Sequence, residues 1–302
     1  MKTNLFVTMA AAALILAGCT NDENEMDNWN GEIRLSSGLV VQTRANNSSD
    51  VPDKQIAAGQ QIGIYVEGVA GETAYTGYTN VSADADGSGN FSNYSPTMYY
   101  PQSGKDVQIS AYHPYSQATA DTYDFTVETA QATDANYFKS DLLYSEKKTY
   151  ARSKTAHSLT FKHKLVKVVC RLTSGVGTPD IKGATVEIVT PERAVSFNRT
   201  TGVVANASTS AKGDNVRLGQ YGAIIAPQTY AKGTKFLKVI LTNGGELYYT
   251  IPDGAADTDL ILASGSVYTF NITVDLTELK VSSSISDWTP VAAKTGNATM
   301  DD

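Results

Sequence analysis

Cysteine is almost absent from this chain: 302 residues carry two, Cys19 and Cys170. A disulfide framework is therefore excluded, and stability has to come from core burial and sheet pairing. Histidine is scarce too, with only His113, His157 and His163. His157 and His163 fall near one strand without a Cys or carboxylate cluster, and a zinc site needs three or four convergent ligands. They read as packed or edge histidines, and no metal or other cofactor is expected. There is no basic tract, and the formal net charge is −7, which argues against nucleic-acid binding. The sequence holds no GxSxG, HExxH, P-loop or GxGxxG. No nucleophile, acid pair or metal cluster can be assembled, so the chain is not read as an enzyme. Helical periodicity is hard to find.

Strand and turn vocabulary is what fills the chain: Thr, Val, Tyr, Ser and Gly dominate. The clearest pattern is EIRLSSGLVVQTR, Glu32 to Arg44. Ile33, Leu35, Ser37, Leu39, Val41 and Thr43 share one parity, the period-two signature of a half-buried strand. The segment after Arg44, ANNSSDVPD, is polar and turn-forming. A long strand is thus joined to the rest by a tether open to proteolysis. Such a strand is built to be removed.

Ahead of it lies a leader. Lys2 precedes the apolar run Leu5 to Leu16, which is too short to span a bilayer as a stable helix. Leu16-Ala17-Gly18-Cys19 resembles a bacterial lipobox, in which the Cys thiol is acylated and becomes the first residue of the mature chain. Two or three acyl chains would hold it stably to a membrane. The organisation expected is a lipoprotein signal peptide over 1–18, an acidic leash over 19–31, a removable strand over 32–44, and two β-sandwich domains over 45–174 and 182–302. The turn cluster Ser174 to Asp180 marks the boundary between domains, with the loop at Lys147 to Ala156 as the alternative. In SLTFKHKLVKVVCRL, Ser158 to Leu172, the apolar parity flips, so a bulge or bend is expected near Lys164 to Val166.

Asp84, Asp86 and Ser88 match the first half of an EF-hand loop, but the position of its bidentate Glu is Ser95; a plain turn is expected. Tyrosine is frequent, 17 residues. The clusters Tyr75/Tyr78 and Tyr94/Tyr99/Tyr100 are of a kind that stacks on sugars, though strand aromatics more often fill a core or cover an edge. Cys170 reads as a small core residue.

Taken together, the lipobox, the strand ending in Thr43-Arg44, YYP followed by VQISAYHPY, DLLYS, LTFKHKL, AIIAPQT and the closing GSVYTFNITV with ISDW resemble the fimbrillin family of Bacteroidetes, the pilins of type V pili. The resemblance covers nearly the whole chain. It implies two transthyretin-like sandwiches and a lipoprotein precursor anchored through Cys19 at the outer-membrane surface. The acidic leash then resembles a surface-export signal. An Arg-specific protease would cut after Arg44. Loss of the strand would uncover pockets for Ile33, Leu35, Leu39 and Val41, and a C-terminal segment of another pilin subunit would fill them, giving a head-to-tail polymer. The tail after Trp288 is a weak donor by sequence, so the donor segment and the stalk or tip role stay open. A surface-anchored glycan-binding lipoprotein is the alternative.

Overall fold

A computed structural model describes residues 29–39, 55–275, 278–286 and 291–299, with Leu39 and the residues after 275 described by backbone alone. The first half contains β1 (Leu35–Leu39), β2 (Gln61–Gly68), β3 (Tyr78–Ala85), β4 (Phe91–Ser95), β5 (Val107–His113) and β6 (Thr122–Thr126). One short helix follows, α1 (Asp134–Ser140), then β7 (Leu143–Tyr150), β8 (His157–His163) and β9 (Val166–Ser174). The second half contributes β10 (Thr185–Ile188), β11 (Ala194–Asn198), β12 (Val203–Asn206), β13 (Val216–Arg217), β14 (Ala223–Ile225) and β15 (Gln228–Tyr230). It ends with β16 (Lys235–Ile240), β17 (Glu246–Thr250), β18 (Leu260–Leu262), β19 (Val267–Val274), β20 (Glu278–Ser286) and β21 (Val291–Thr299). The class is all-β, as expected. The helix has no counterpart in the sequence reading; the Thr133 side chain accepts from the Asn136 amide and caps it.

Two large sheets dominate. A seven-stranded sheet runs β1-β8-β7-β5-β2-β3-β4, and a five-stranded one runs β14-β9-β19-β20-β21. A four-stranded sheet, β13-β10-β16-β17, belongs to the second half. Pairing is mostly antiparallel, with two parallel exceptions that alternation cannot reveal: β1 on β8 and β9 on β19.

The parity flip after His163 has a topological cause. β8 lies in the seven-stranded sheet and β9 in the five-stranded one. The chain changes sheet over Lys164 and Leu165, a bend and not a bulge. The chain thus leaves the seven-stranded sheet between β8 and β9. The halves are also stitched together beyond it. β6 of the first half pairs with β11 of the second. Tyr65, Tyr112, Tyr144, Leu165, Phe197 and Ile224 share one buried core drawn from both halves. Residues 31–302 form one compact unit.

Burial on both faces explains the runs that fail to alternate. In β2 every residue from Ile62 to Val66 is buried. Tyr65 faces the shared core. Gly63 is required beside it, because a Cβ there would sit 2.1 Å from the Tyr112 ring. The second half has its own core, centred on Phe236, Tyr249 and Phe270.

Candidate functional site

The strand singled out by its alternation sits in a slot with two walls. Its residues 35–39 pair in parallel with His157–Phe161 of β8. Even-numbered backbone groups face that wall: the His157 amide donates to the Arg34 carbonyl, 2.9 Å. Odd-numbered groups face the other wall, made by residues 89–100. The Ile33 amide donates to the Met98 carbonyl at 2.9 Å, and the Ser37 amide to Gly89 at 2.7 Å. The Tyr100 amide in turn donates to Gly31 at 2.9 Å. Since β4 begins at Phe91 and is the far edge of the same sheet, residues 31–39 close the seven-stranded sheet on itself. Without them two sheet edges would lie open.

Side chains alternate over residues 33–35, and residues 36–38 are all half-buried. Ile33 and Leu35 are 1% and 2% exposed, while Arg34 is exposed. Burial of two such side chains is worth about 1.5–3 kcal/mol each. Ser37 breaks the apolar stripe, and its hydroxyl is buried with no hydrogen-bond partner. Leu39 belongs to the strand by backbone. Cys19, Val41 and Arg44 lie outside the described residues.

The second wall is propped by tyrosines of the Tyr75/Tyr78 and Tyr94/Tyr99/Tyr100 clusters. The Tyr75 hydroxyl donates to the Tyr99 carbonyl, 2.7 Å, and the Tyr99 amide donates to the Tyr78 hydroxyl, 3.1 Å. The Tyr75 and Tyr78 rings meet edge to face at 68°, so they present no flat platform. Both hydroxyls are spent on holding the segment that lines the slot. Tyr94 reaches into the slot itself, where the Leu35 amide donates to its hydroxyl at 3.0 Å. At one end the two walls touch: His157 Nε2 of β8 lies 2.9 Å from Tyr100 Oη and 2.8 Å from the Ala151 carbonyl.

The remaining candidates resolve into structural roles. Asp86 accepts from the Ser88 and Asn90 amides and from the Asn90 side chain. The Asn90 side chain is the main influence holding its carboxyl below the usual range. That carboxylate closes its own turn. His163 Nδ1 lies 2.7 Å from Asp141. His113 is buried, with Nδ1 2.9 Å from the Gln61 carbonyl and Nε2 3.2 Å from that of Phe138; burial pushes its pKa down. Among the described residues no group of three His, Cys, Asp or Glu side chains is placed to hold a metal ion. Cys170 is partly buried against the core of the second half, and desolvation pushes its thiol up to about 12.

Residues 43–288 match the model of the fimbrillin-like family. The chain belongs to that family. Its members are fimbrial structural and adhesion proteins, not enzymes. Over 99% of its length this fimbrillin-like chain is 29% identical to a candidate fimbrium subunit, Fim1C, of Bacteroides uniformis, all of which is covered. Its fold matches the crystal structure of a candidate cell adhesion protein of Bacteroides uniformis with a TM-score of 0.63 at 21% identity, covering 86% of this chain and 99% of the other. One from Bacteroides ovatus matches at 0.64 and 17% identity, covering 85% and 97%. These two likenesses speak to the fold.

Proposed function

We propose that this fimbrillin-like chain is a structural subunit of a surface fimbria, assembled by strand exchange after proteolytic removal of residues 32–44. The observation that carries the reading is the two-walled seat of β1. A strand that closes a sheet from both sides leaves paired open edges and apolar pockets when it goes, and such a slot is filled by another extended segment. The family match begins at residue 43, so the part of the chain that matches is essentially the part a cut after Arg44 would leave.

The donor is β21. Among the described residues it is the outermost strand of its sheet and pairs only with β20, whereas β20 is held on both sides by β19 and β21. Detaching β21 breaks one ladder; detaching β20 breaks two. A chain with both a slot and a detachable end strand can receive and donate, which is what a repeating stalk subunit does. Contacts of this kind are head-to-tail and do not close, so they propagate as a filament. The cut supplies the direction. While tethered, β1 competes at the high effective concentration of an intramolecular partner, and cleavage removes that advantage.

In this reading Cys19 carries the lipid that holds the precursor at the outer membrane, an Arg-specific protease cuts after Arg44, and two domains share the work of receiving and donating. Mass analysis of subunits sheared from cells tests it. Subunits that begin at Ala45, and loss of surface polymer in Arg44→Ala cells, are expected. Fibre subunits that begin at Cys19 and retain residues 32–44 would contradict it.

A further inference from the structure

Among the described residues, the slot contains one position where the ladder is made by a side chain. Along the wall at residues 89–100, Gly31, Ile33 and Ser37 each exchange a bond with a backbone group. Leu35 does not. Its amide donates to the Tyr94 hydroxyl at 3.0 Å, and the same hydroxyl donates to the Leu35 carbonyl at 3.4 Å. One phenol thus takes the place of a complete backbone partner.

Local structure explains why. β3 and β4 fall out of register between the pairs Ser82↔Ser95 and Asp84↔Ser92. The extra residue on β4 is accommodated at Asn93, which adopts a left-handed backbone with φ of 52°. Asn93 is fixed there by its side-chain amide, which donates to Asp84 at 2.8 Å. A bulge of this kind bends its strand and re-aims a neighbouring side chain. Here it withdraws the β4 backbone from β1 and turns Tyr94 into the gap.

We propose that Tyr94 sets the register of whatever strand occupies the slot. This rests on the strand-exchange reading above and adds a specificity element to it. Backbone-to-backbone ladders are indifferent to sequence and tolerate a slip of two residues, which keeps each side chain on its own face. A lone phenol is not repeated two residues along. It demands an extended residue with a free amide at one place only, so the occupant must be a polypeptide segment without proline at that position. The end strand VAAKTGNAT, Val291–Thr299, contains no proline, while Pro290 stands immediately before it.

The test uses the full chain cut after Arg44 and a labelled peptide of sequence Glu32 to Arg44. A second peptide carries the α-hydroxy acid in place of Leu35, which deletes the amide donor without adding bulk. Uptake of both is measured by the wild-type cut chain and by its Tyr94→Phe variant. We expect the ester peptide, and separately Tyr94→Phe, to weaken uptake by about five- to tenfold, the loss of one hydrogen bond. Combining them should cost little more than either alone. Two losses that multiply independently would overturn the role of Tyr94 and leave the exchange reading intact. No uptake of the unmodified peptide by the wild-type cut chain would remove the exchange reading itself, and the proposal with it.

Discussion

Ser37 is a weak point in the seating of β1. Its hydroxyl is buried and finds no partner. A buried unsatisfied hydroxyl costs roughly 1–3 kcal/mol. Ser37→Ala removes the group without adding volume. Slower loss of residues 32–44 after cleavage is the expected outcome, read as the release rate of the fragment by mass spectrometry. Faster or unchanged release would mean that the hydroxyl is not a weak point. A second single-residue effect concerns pH. His113 is buried and its folded pKa is depressed by desolvation, below the ordinary value of about 6.5 that it regains on unfolding. Between those two values the unfolded chain binds the proton more readily, so stability falls as pH drops below about 6.5 and is complete above it. Urea unfolding midpoints at pH 7.5 and 5.5 should fall further in the wild type than in His113→Asn. Equal falls would assign the acid sensitivity elsewhere.

At the scale of the element, β1 is held more by its side chains than its length suggests. Ile33→Ala or Leu35→Ala removes a fully buried side chain, a loss of about 2–5 kcal/mol in a site that cannot collapse. Amide hydrogen exchange across residues 31–39 should accelerate in either variant while β9 and β19 keep their protection. Loss of protection throughout would mean that the strand is part of the folding core and not a separable piece. This strand is also where the sequence was most legible. Strict alternation over Glu32 to Thr43 placed Ile33 and Leu35 inward, and the structure has them buried. Its partners were not legible. A parallel neighbour more than a hundred residues away leaves no local trace, and neither does the wall at 89–100. The tyrosines of that wall carry no periodic signal, because their job is done by hydroxyls reaching backbone atoms in another segment. The bend at Lys164–Leu165 was legible as a parity flip. That it moves the chain into a different sheet was not, since parity records faces and not partners.

Across the whole molecule, the two halves are bound by more than a linker. Gln131 is the clearest tie. It is buried, its amide nitrogen donates to the Ile224 carbonyl at 2.7 Å, and its oxygen accepts from the Ile224 amide at 2.7 Å. The side chain imitates a strand partner for β14. Gln131→Ala leaves both backbone groups of Ile224 unsatisfied, at roughly 1–3 kcal/mol for each. A single cooperative unfolding transition is expected for the wild type, with a lower midpoint in the variant. Two resolved transitions in the wild type would show halves that fold independently. Under the proposed exchange, in which the chain receives at one sheet and donates from another, such a tie would let a polymer transmit load through folded protein. Assembly in the proposed reading depends on one exchange. The most direct test is to cleave purified chain after Arg44 and follow the products by denaturant-free electrophoresis and mass spectrometry. Release of the segment ending at Arg44, together with a ladder of polymers, is the predicted result. A cleaved chain that keeps that segment bound and stays monomeric would contradict it.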